Sequence, residues 1–224
     1  MKLNEFLSRT PLFRGLTPEE VDTMQACLSP RLKKYERGEI IYRYGDFVTS
    51  LGIVLSGSVN IERCDAWGNN SIIDLVEPGE MFAESFACLK SEPLTMDAVA
   101  NEKTEVIFFN VNKVLYLCAS RCSYHNRLIE NLTQSLARKN VALNNKMQYI
   151  TPKTIRARLI AYFSNEALRQ GKLTIEIPFN RQQLADYLSV ERSALSNELS
   201  KMQADGLIEY NKNVFKINIA GMEK

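Results

Sequence analysis

The residues with the clearest chemical potential lie near the C-terminal end of the 224-residue chain, where small polar side chains recur at helical spacing. They follow the series i, i+3, i+4, i+7, directly after Arg192, and comprise Ser193, Ser196, Asn197 and Ser200. The other side of the same helix carries an apolar row, made of Leu195, Leu199 and Met202. Short hydrogen-bonding side chains with almost no charge suit the edges of bases in a DNA major groove. The alternative is a helical hairpin that packs on protein.

Local sequence features place this helix second in a helix-turn-helix. Asn180 is a good N-cap for a first helix, and Gln183, three residues later, completes the spacing of a capping box. The pattern breaks at Ser189, which we expect to cap the second helix. Asn180 and Gln182 lie at the start of the first helix, where we expect them to contact the DNA backbone, while Ser193, Ser196, Asn197 and Arg192 contact bases.

A two-stranded wing is predicted after the second helix. Gly206 ends that helix, and short strand patterns follow over 207–210 and 214–217. The charge is distributed to match, because residues 138–224 hold 14 Lys and Arg against 8 Asp and Glu, whereas residues 1–137 hold 14 against 18. The basic C-terminal part therefore favours contact with a phosphate backbone.

The composition indicates an ordinary globular chain, with 45% apolar and 24% charged residues. The N-terminal segment lacks the apolar core of a signal peptide, and no apolar run is long enough to cross a bilayer. We therefore predict a cytoplasmic protein without a membrane partner. A single histidine, with neither a nucleophile elbow nor a glycine-rich phosphate loop, gives little support for an enzyme.

The rest of the chain predicts an α+β fold. Thr17 and Glu20 have the spacing of a capping box that opens a short N-terminal helix. Between residues 31 and 110, short strand patterns alternate with glycine turns and predict an antiparallel β jelly roll; the clearest are Glu39–Tyr42, Leu51–Ser56, Ser58–Arg63, Ser71–Val76 and Glu105–Asn110. A long helix follows from about Ser123. Thr151 is expected to cap the next helix after a hinge.

Three stretches resemble the CRP/FNR (cyclic-AMP receptor protein) family of bacterial transcription regulators. They are PLFRGLTPEEVDTM, RGEIIYRYGDFVTSLGIVLSGSVNI and the helix-turn-helix NRQQLADYLSVERSALSNELSKMQADGLI. The resemblance implies a cyclic-nucleotide-binding-like sensor domain over 1–122, a dimerisation helix and hinge over 123–150, and a winged helix-turn-helix over 151–224. It also implies a homodimer on a two-fold symmetric DNA operator, with RNA polymerase as a further partner.

The resemblance also implies an effector pocket in the roll. A short cassette corresponds to the phosphate-binding segment of the nucleotide-binding relatives, and the matching positions are Ala83, Glu84, Ser85, Leu94, Thr95, Leu143 and Asn144. The family's phosphate-neutralising arginine falls on Leu94, and its two hydroxyl residues on the long helix fall on Leu143 and Asn144. Because a buried phosphate needs a cationic partner, we expect an effector other than cyclic AMP, of unknown identity.

The long helix carries an apolar row with coiled-coil spacing, which predicts the dimer interface. The row consists of Ile129, Leu132, Leu136 and Leu143, with Lys139 at the intervening position. The alternative is that the same row packs on its own roll, and a helix with two faces can do both.

The cysteines and the histidine leave a second function open. Five widely spread cysteines argue against a disulfide framework. Cys118 and Cys122, at i, i+4, have the spacing of a redox or metal pair, or of two buried thiols. His125 lies in a polar setting, so we expect it at the surface and predict no metal site. The rival hypothesis is a redox or small-molecule sensor whose main output is a protein partner, with its cofactor unidentified.

Overall fold

The computed structural model describes residues 2–64, 70–116 and 123–218 of the chain. The chain divides into two compact units, Met1–Ala137 and Arg138–Lys224, and each is described by itself. The boundary falls inside a 28-residue helix that supplies residues to both units.

Short helices precede the sheets of the first unit. They are α1, Leu3–Leu7, a single 3-10 turn, Pro11–Phe13, and α2, Pro18–Leu28. The Thr17 hydroxyl accepts the N–H of Glu20, and the Glu20 carboxylate accepts the N–H of Thr17 at 2.8 Å. This reciprocal pair satisfies two amides that the first turn of α2 leaves without helical partners, and it confirms the predicted capping box.

Two antiparallel four-stranded sheets form the body of the first unit. The strands are β1 Arg31–Tyr35, β2 Ile40–Tyr42, β3 Ser50–Ser56, β4 Val59–Cys64, β5 Asn70–Val76, β6 Met81–Phe82, β7 Asp97–Ala100 and β8 Thr104–Asn110. Their order is β1-β8-β3-β6 in one sheet and β2-β7-β4-β5 in the other. Two short helices accompany them, α3 Glu84–Leu89 and α4 Val111–Leu115. The predicted antiparallel roll is confirmed.

Apolar side chains from both sheets fill the space between them. The buried cluster consists of Val54, Val59, Val76, Phe82, Ala98, Val106 and Phe108. The ring of Phe82 lies so close to Gly52 that a Cβ there would be 2.5 Å from it. Tyr42 packs edge-to-face on both Phe82 and Phe108, with ring centroids 6.1 and 5.7 Å apart. The interior of the roll is therefore an aromatic core, close-packed around one glycine.

Helix α5, Ser123–Ile150, packs its N-terminal part on the first unit. Leu128 and Leu132 are fully buried there, and Asn131 donates two bonds of 2.9 Å to backbone carbonyls of the N-terminal segment. His125 is only 1% exposed. The expectation of a surface histidine is wrong, because His125 lies at i, i+3, i+7 with Leu128 and Leu132 on the buried face of the helix.

The second unit is a small helical domain with a three-stranded sheet. It contains the end of α5, then α6 Ile155–Gln170, β9 Thr174–Glu176, α7 Arg181–Tyr187, α8 Arg192–Ala204, β10 Ile208–Asn211 and β11 Val214–Ile217. The sheet order is β10-β11-β9, all antiparallel. Leu159, Phe163, Leu184, Leu195 and Phe215 meet in its core.

The start of α6 differs from the sequence-based expectation. Thr154, not Thr151, is the N-cap, and its hydroxyl accepts the N–H of Ala157 at 3.1 Å. The Thr151 hydroxyl instead donates to the carbonyl of Met147 at 2.6 Å, because Thr151 directly follows the last turn of α5.

Gly57 provides a test of the roll. It has φ +74°, and a Cβ would be 2.5 Å from the carbonyl oxygen of Lys103. We expect Gly57→Ala to lower the free energy of unfolding by about 2–4 kcal/mol, since backbone strain and overlap add. The matched control is Gly38→Ala, with φ +82° and open space within 4 Å, which should cost only about 1–2 kcal/mol. Equal losses in urea denaturation followed by circular dichroism would contradict this account.

Candidate nucleic-acid interface

The first helix of the helix-turn-helix begins as the sequence predicts. The Asn180 side chain accepts the N–H of Gln183 at 2.9 Å, and the Gln183 side chain accepts the N–H of Asn180 at 2.8 Å. Leu184 and Ala185 are buried. Gln182 is exposed and donates to Asp186 at 2.8 Å. Helix α7 therefore presents Asn180 and Gln182 on its outer side while its apolar face packs on the unit.

Arg158 on α6 holds the turn between α7 and α8. Its guanidinium donates to the carbonyls of Leu188 and Ser189, each at 3.0 Å, and to the carbonyl of Pro152 at 2.9 Å. Ser189 has φ +53°, a left-handed conformation that any residue with a side chain adopts at a cost. Sequence reasoning missed Arg158, because it lies 30 residues before the carbonyl of Leu188 that it contacts.

The second helix is capped by Glu191. Its carboxylate accepts the N–H groups of Ser193 and Ala194, at 2.9 and 2.8 Å, and also the Ser193 hydroxyl. The Ser193 hydroxyl, followed by these backbone amides, lowers the pKa of Glu191. The prediction that Ser189 is the cap is wrong. Ser189 lies two residues before the Glu191 cap and adopts a left-handed turn conformation.

The predicted contact residues lie on one outward face of α8. Arg192, Ser193, Asn197 and Ser200 are exposed, and Ser196 is half-buried. The opposite row, Leu195, Leu199 and Met202, is at most 1% exposed. Burial of that row leaves the polar row pointing outward.

Arg156 fastens α8 to α6. Its guanidinium contacts Glu198 at 2.5 Å and Asp205 at 2.7 Å, so it binds the middle and the end of the helix at once. Hydrogen bonds to Glu198 and then Asp205 raise the pKa of Arg156. This link could not be predicted from the sequence, because an ion pair between distant residues follows no spacing rule.

The wing packs on the start of α7 through Arg181. The Arg181 guanidinium lies over the rings of Tyr210 and Phe215, 5.0 and 5.5 Å from their centroids. Burial lowers the pKa of Arg181. Lys212, at the tip of the wing, is exposed and lines one surface cavity together with Asn180. A basic group thus lies beside the predicted backbone-contacting end of α7.

The effector residues predicted in the first unit have different environments. Ala83 has φ +60° and precedes α3, and Glu84 is 2% exposed. Ser85 and Thr95 are exposed, whereas Leu94 is 6% exposed and belongs to the apolar core. Burial, and next the Glu84 carboxylate, raise the pKa of Cys88. The position to which the resemblance assigns the family's arginine is therefore a core leucine.

The apolar row predicted for dimerisation divides between two environments. Leu132 is 1% exposed in the core of its own unit, and Ile129 and Leu136 are half-buried. Leu132 therefore does not lie on an open face of α5, since its position lines up with buried Leu128 at i, i+4. In the second unit, Leu143 is 63% exposed, and Asn144 donates to Asn140 at 2.8 Å.

Two family models match the chain. One, for the cyclic nucleotide-binding domain, matches residues 32–121, and one, for the Crp-like helix-turn-helix domain, matches residues 157–224. The chain belongs to the CRP/FNR family of transcriptional regulators. Together the two models match more than two thirds of the residues of this chain.

Two curated relatives match this chain over nearly its whole length. The cyclic AMP receptor protein of Thermus thermophilus is 28% identical over 213 residues, which is 95% of this chain and 94% of that protein. The CRP-like cAMP-activated global transcriptional regulator of Mycobacterium tuberculosis is 21% identical, over 92% and 91%. The Mycobacterium tuberculosis relative is a transcriptional regulator by name.

Solved structures share the fold. The c-di-GMP responsive global regulator CLP of Xanthomonas campestris matches with a TM-score of 0.54 and 17% identity, over 89% of this chain and 98% of that one. The N-terminal domain of a Streptomyces coelicolor transcriptional regulator matches with a TM-score of 0.50 and 22% identity, over 62% and 94%.

The sensor-related cysteines Cys118 and Cys122 lie outside the described residues. Within residues 2–64, 70–116 and 123–218, no group of three or more His, Cys, Asp or Glu side chains is placed to hold a metal ion. In the same part of the chain, the helices are all too short or too polar to cross a bilayer.

Arg158 gives a test of the site's construction. We expect Arg158→Met to lower the free energy of unfolding of the second unit by about 2–3 kcal/mol, because it leaves backbone carbonyls without their charged donor. Lys153→Met, which removes an exposed cation without described partners, should change it by less than about 0.5 kcal/mol. Thermal unfolding of both variants checks this, and equal stabilities would show that Arg158 does not hold the turn.

Proposed function

We propose that this regulator binds double-stranded DNA as a homodimer on a two-fold symmetric operator, with α8 in the major groove. The observation that carries the proposal is the outward row of small polar residues on α8, opposite its buried apolar row. A helix that contacted a protein partner would be expected to expose aromatic or leucine side chains instead. The excess of Lys and Arg in residues 138–224 supports contact with phosphates.

The roles of the contact residues follow from their donors and acceptors. Arg192 would donate two bonds to a guanine, and Asn197 has the paired donor and acceptor that match adenine. Ser193 and Ser196 would contact further base edges. Asn180 and Gln182, with Lys212 on the wing, would contact the DNA backbone and so fix the orientation of the protein on the duplex.

Substitution of Arg192 tests this arrangement. After selection of an operator from random duplexes, Arg192→Ala should lose about 1–3 kcal/mol per half-site and relax the preference at one base pair, because a bidentate guanine contact disappears. Lys212→Ala should weaken all sequences alike and reduce the salt slope by about 1. Titration by fluorescence anisotropy at several salt concentrations measures both. An Arg192→Ala protein with an unchanged preference at every position would remove α8 from the groove.

The proposed dimer uses the exposed side of α5. Leu136, Asn140, Leu143 and Met147 follow the 4-3-4 spacing of a coiled-coil seam. Leu143 and Met147 are 63% and 59% exposed, so these side chains remain available to a second copy of the chain. This seam replaces Leu132 of the sequence-based row with residues that its own unit does not bury.

Leu143 permits a matched test of dimerisation. We expect Leu143→Glu to be monomeric at micromolar concentration, because two carboxylates would face each other at the two-fold axis. The control is Val141→Glu, since Val141 is similarly exposed, at 57%, but lies two residues away on the far side of the helix. Sedimentation velocity should show Val141→Glu as a dimer. Two dimeric variants would move the interface off this helix, and a monomeric Val141→Glu beside a dimeric Leu143→Glu would move it to the other side.

We further propose that the effector is not a cyclic nucleotide. The phosphate of a cyclic nucleotide carries a fixed negative charge that no pKa shift removes, so a nucleotide site must supply a cation or strong dipoles. Leu94, a core residue, takes the place of the family's arginine, and buried Glu84 adds an acidic group to the cassette. A neutral, partly apolar ligand fits these residues better.

Titration calorimetry with cyclic AMP and cyclic GMP tests the effector proposal. We expect neither to bind with a dissociation constant below about 100 μM, which corresponds to roughly −5.5 kcal/mol. Millimolar nucleotide should likewise leave the melting temperature and the DNA affinity unchanged. Tighter binding would show that another group supplies the missing positive charge.

A further inference from the structure

The three outward serines of α8 have already used their hydroxyl protons within the protein. The Ser193 hydroxyl contacts the carboxylate of Glu191, the Ser196 hydroxyl contacts the carbonyl of Arg192 at 3.0 Å, and the Ser200 hydroxyl contacts the carbonyl of Ser196 at 3.1 Å. Carbonyl and carboxylate oxygens only accept hydrogen bonds. In each pair the serine is therefore the donor.

What each serine retains is acceptor capacity. A hydroxyl has one proton and two lone pairs, so an Oγ that has given its proton to the protein offers only lone pairs to a ligand. Ser193 is the most firmly committed of the three, because its acceptor is an ionised carboxylate that two N–H groups also hold in place. Ser196 and Ser200 donate to carbonyls four residues earlier, a common arrangement for serine within a helix.

The major groove contains only two kinds of exocyclic donor. Adenine presents its N6 amino group and cytosine its N4 amino group, whereas guanine and thymine present O6 and O4 acceptors at the corresponding edges. A hydroxyl that offers only lone pairs can accept from the amino groups of adenine and cytosine, but it is repelled by the carbonyl oxygens of guanine and thymine.

We propose that the serines of α8, Ser193 first among them, act as hydrogen-bond acceptors that bind the exocyclic amino group of adenine or cytosine rather than the carbonyl oxygen of guanine or thymine. This inference rests on the proposed insertion of α8 into the major groove and specifies the class of base that each serine recognises. On this face, Arg192 supplies donors, Asn197 supplies a donor and an acceptor, and the serines supply acceptors. At each base pair that a serine contacts, the amino group of the adenine or cytosine would lie within reach of the serine hydroxyl.

Base analogues in the selected operator test the polarity of the contact. Ser193→Ala should relax the preference at one base pair, whose adenine or cytosine supplies the amino group that Ser193 contacts. If it carries adenine, purine in its place, which lacks only the N6 amino group, should lower affinity about three- to tenfold. The same change should have no effect on Ser193→Ala. Where it carries cytosine, 2-pyrimidinone, which lacks the N4 amino group, replaces purine in this design.

Two controls make the result specific. In the adenine case, 7-deazaadenine removes the N7 acceptor and should leave wild-type affinity unchanged, whereas a loss there without a loss for purine would show that Ser193 donates. Ser189→Ala, on an exposed serine of the turn, should change no base preference. Unchanged wild-type affinity when purine or 2-pyrimidinone removes the amino group at the relaxed base pair, or no relaxed position in Ser193→Ala, would overturn the inference. Failure to select any operator would instead reject the proposed function.

Discussion

Arg158 joins helix α6 to the turn of the helix-turn-helix through three backbone carbonyls, and the placement of α8 depends on this set of bonds. A single planar cation satisfies carbonyls from two separate segments, which a neutral side chain could not do with comparable strength. The turn can then hold Ser189 in a left-handed conformation, and α8 begins two residues later under its Glu191 cap. Arg156 holds the far part of the same helix. With both ends fixed, the polar row has one orientation.

Features governed by neighbouring residues could be predicted from the sequence. The capping boxes at Thr17 and Asn180 involve partners three residues apart, and both form as expected. The apolar row of α8 and the glycine-punctuated strands of the roll likewise follow from local periodicity. The family relationship was also visible in these stretches.

Features that depend on tertiary neighbours could not be predicted in the same way. Ser189 and Thr151 have the side chains of good caps, but the first lies in a left-handed turn and the second bonds back to α5. His125 has polar sequence neighbours and is nevertheless buried beside Leu128. Arg158 and Arg156 act across long sequence separations, for which no spacing rule exists. Each difference arises where packing between elements outweighs local preference.

The two units present different kinds of side chain. The first has an aromatic interior closed around Gly52, with an apolar residue at the position of the family's cation. The second presents short polar side chains, charged groups at its ends and a basic wing tip. On the proposed function, the first unit would bind an effector with little negative charge and the second unit would bind DNA, a polyanion.

Methylation interference on a selected operator tests most directly whether two copies of α8 occupy the major groove. Dimethyl sulfate modifies the N7 of guanine in the major groove and the N3 of adenine in the minor groove. The account predicts that binding is blocked by guanine methylation at two symmetric positions, in successive major grooves about 10 base pairs apart. Interference at adenines alone, or at a single position without a symmetric mate, would contradict it.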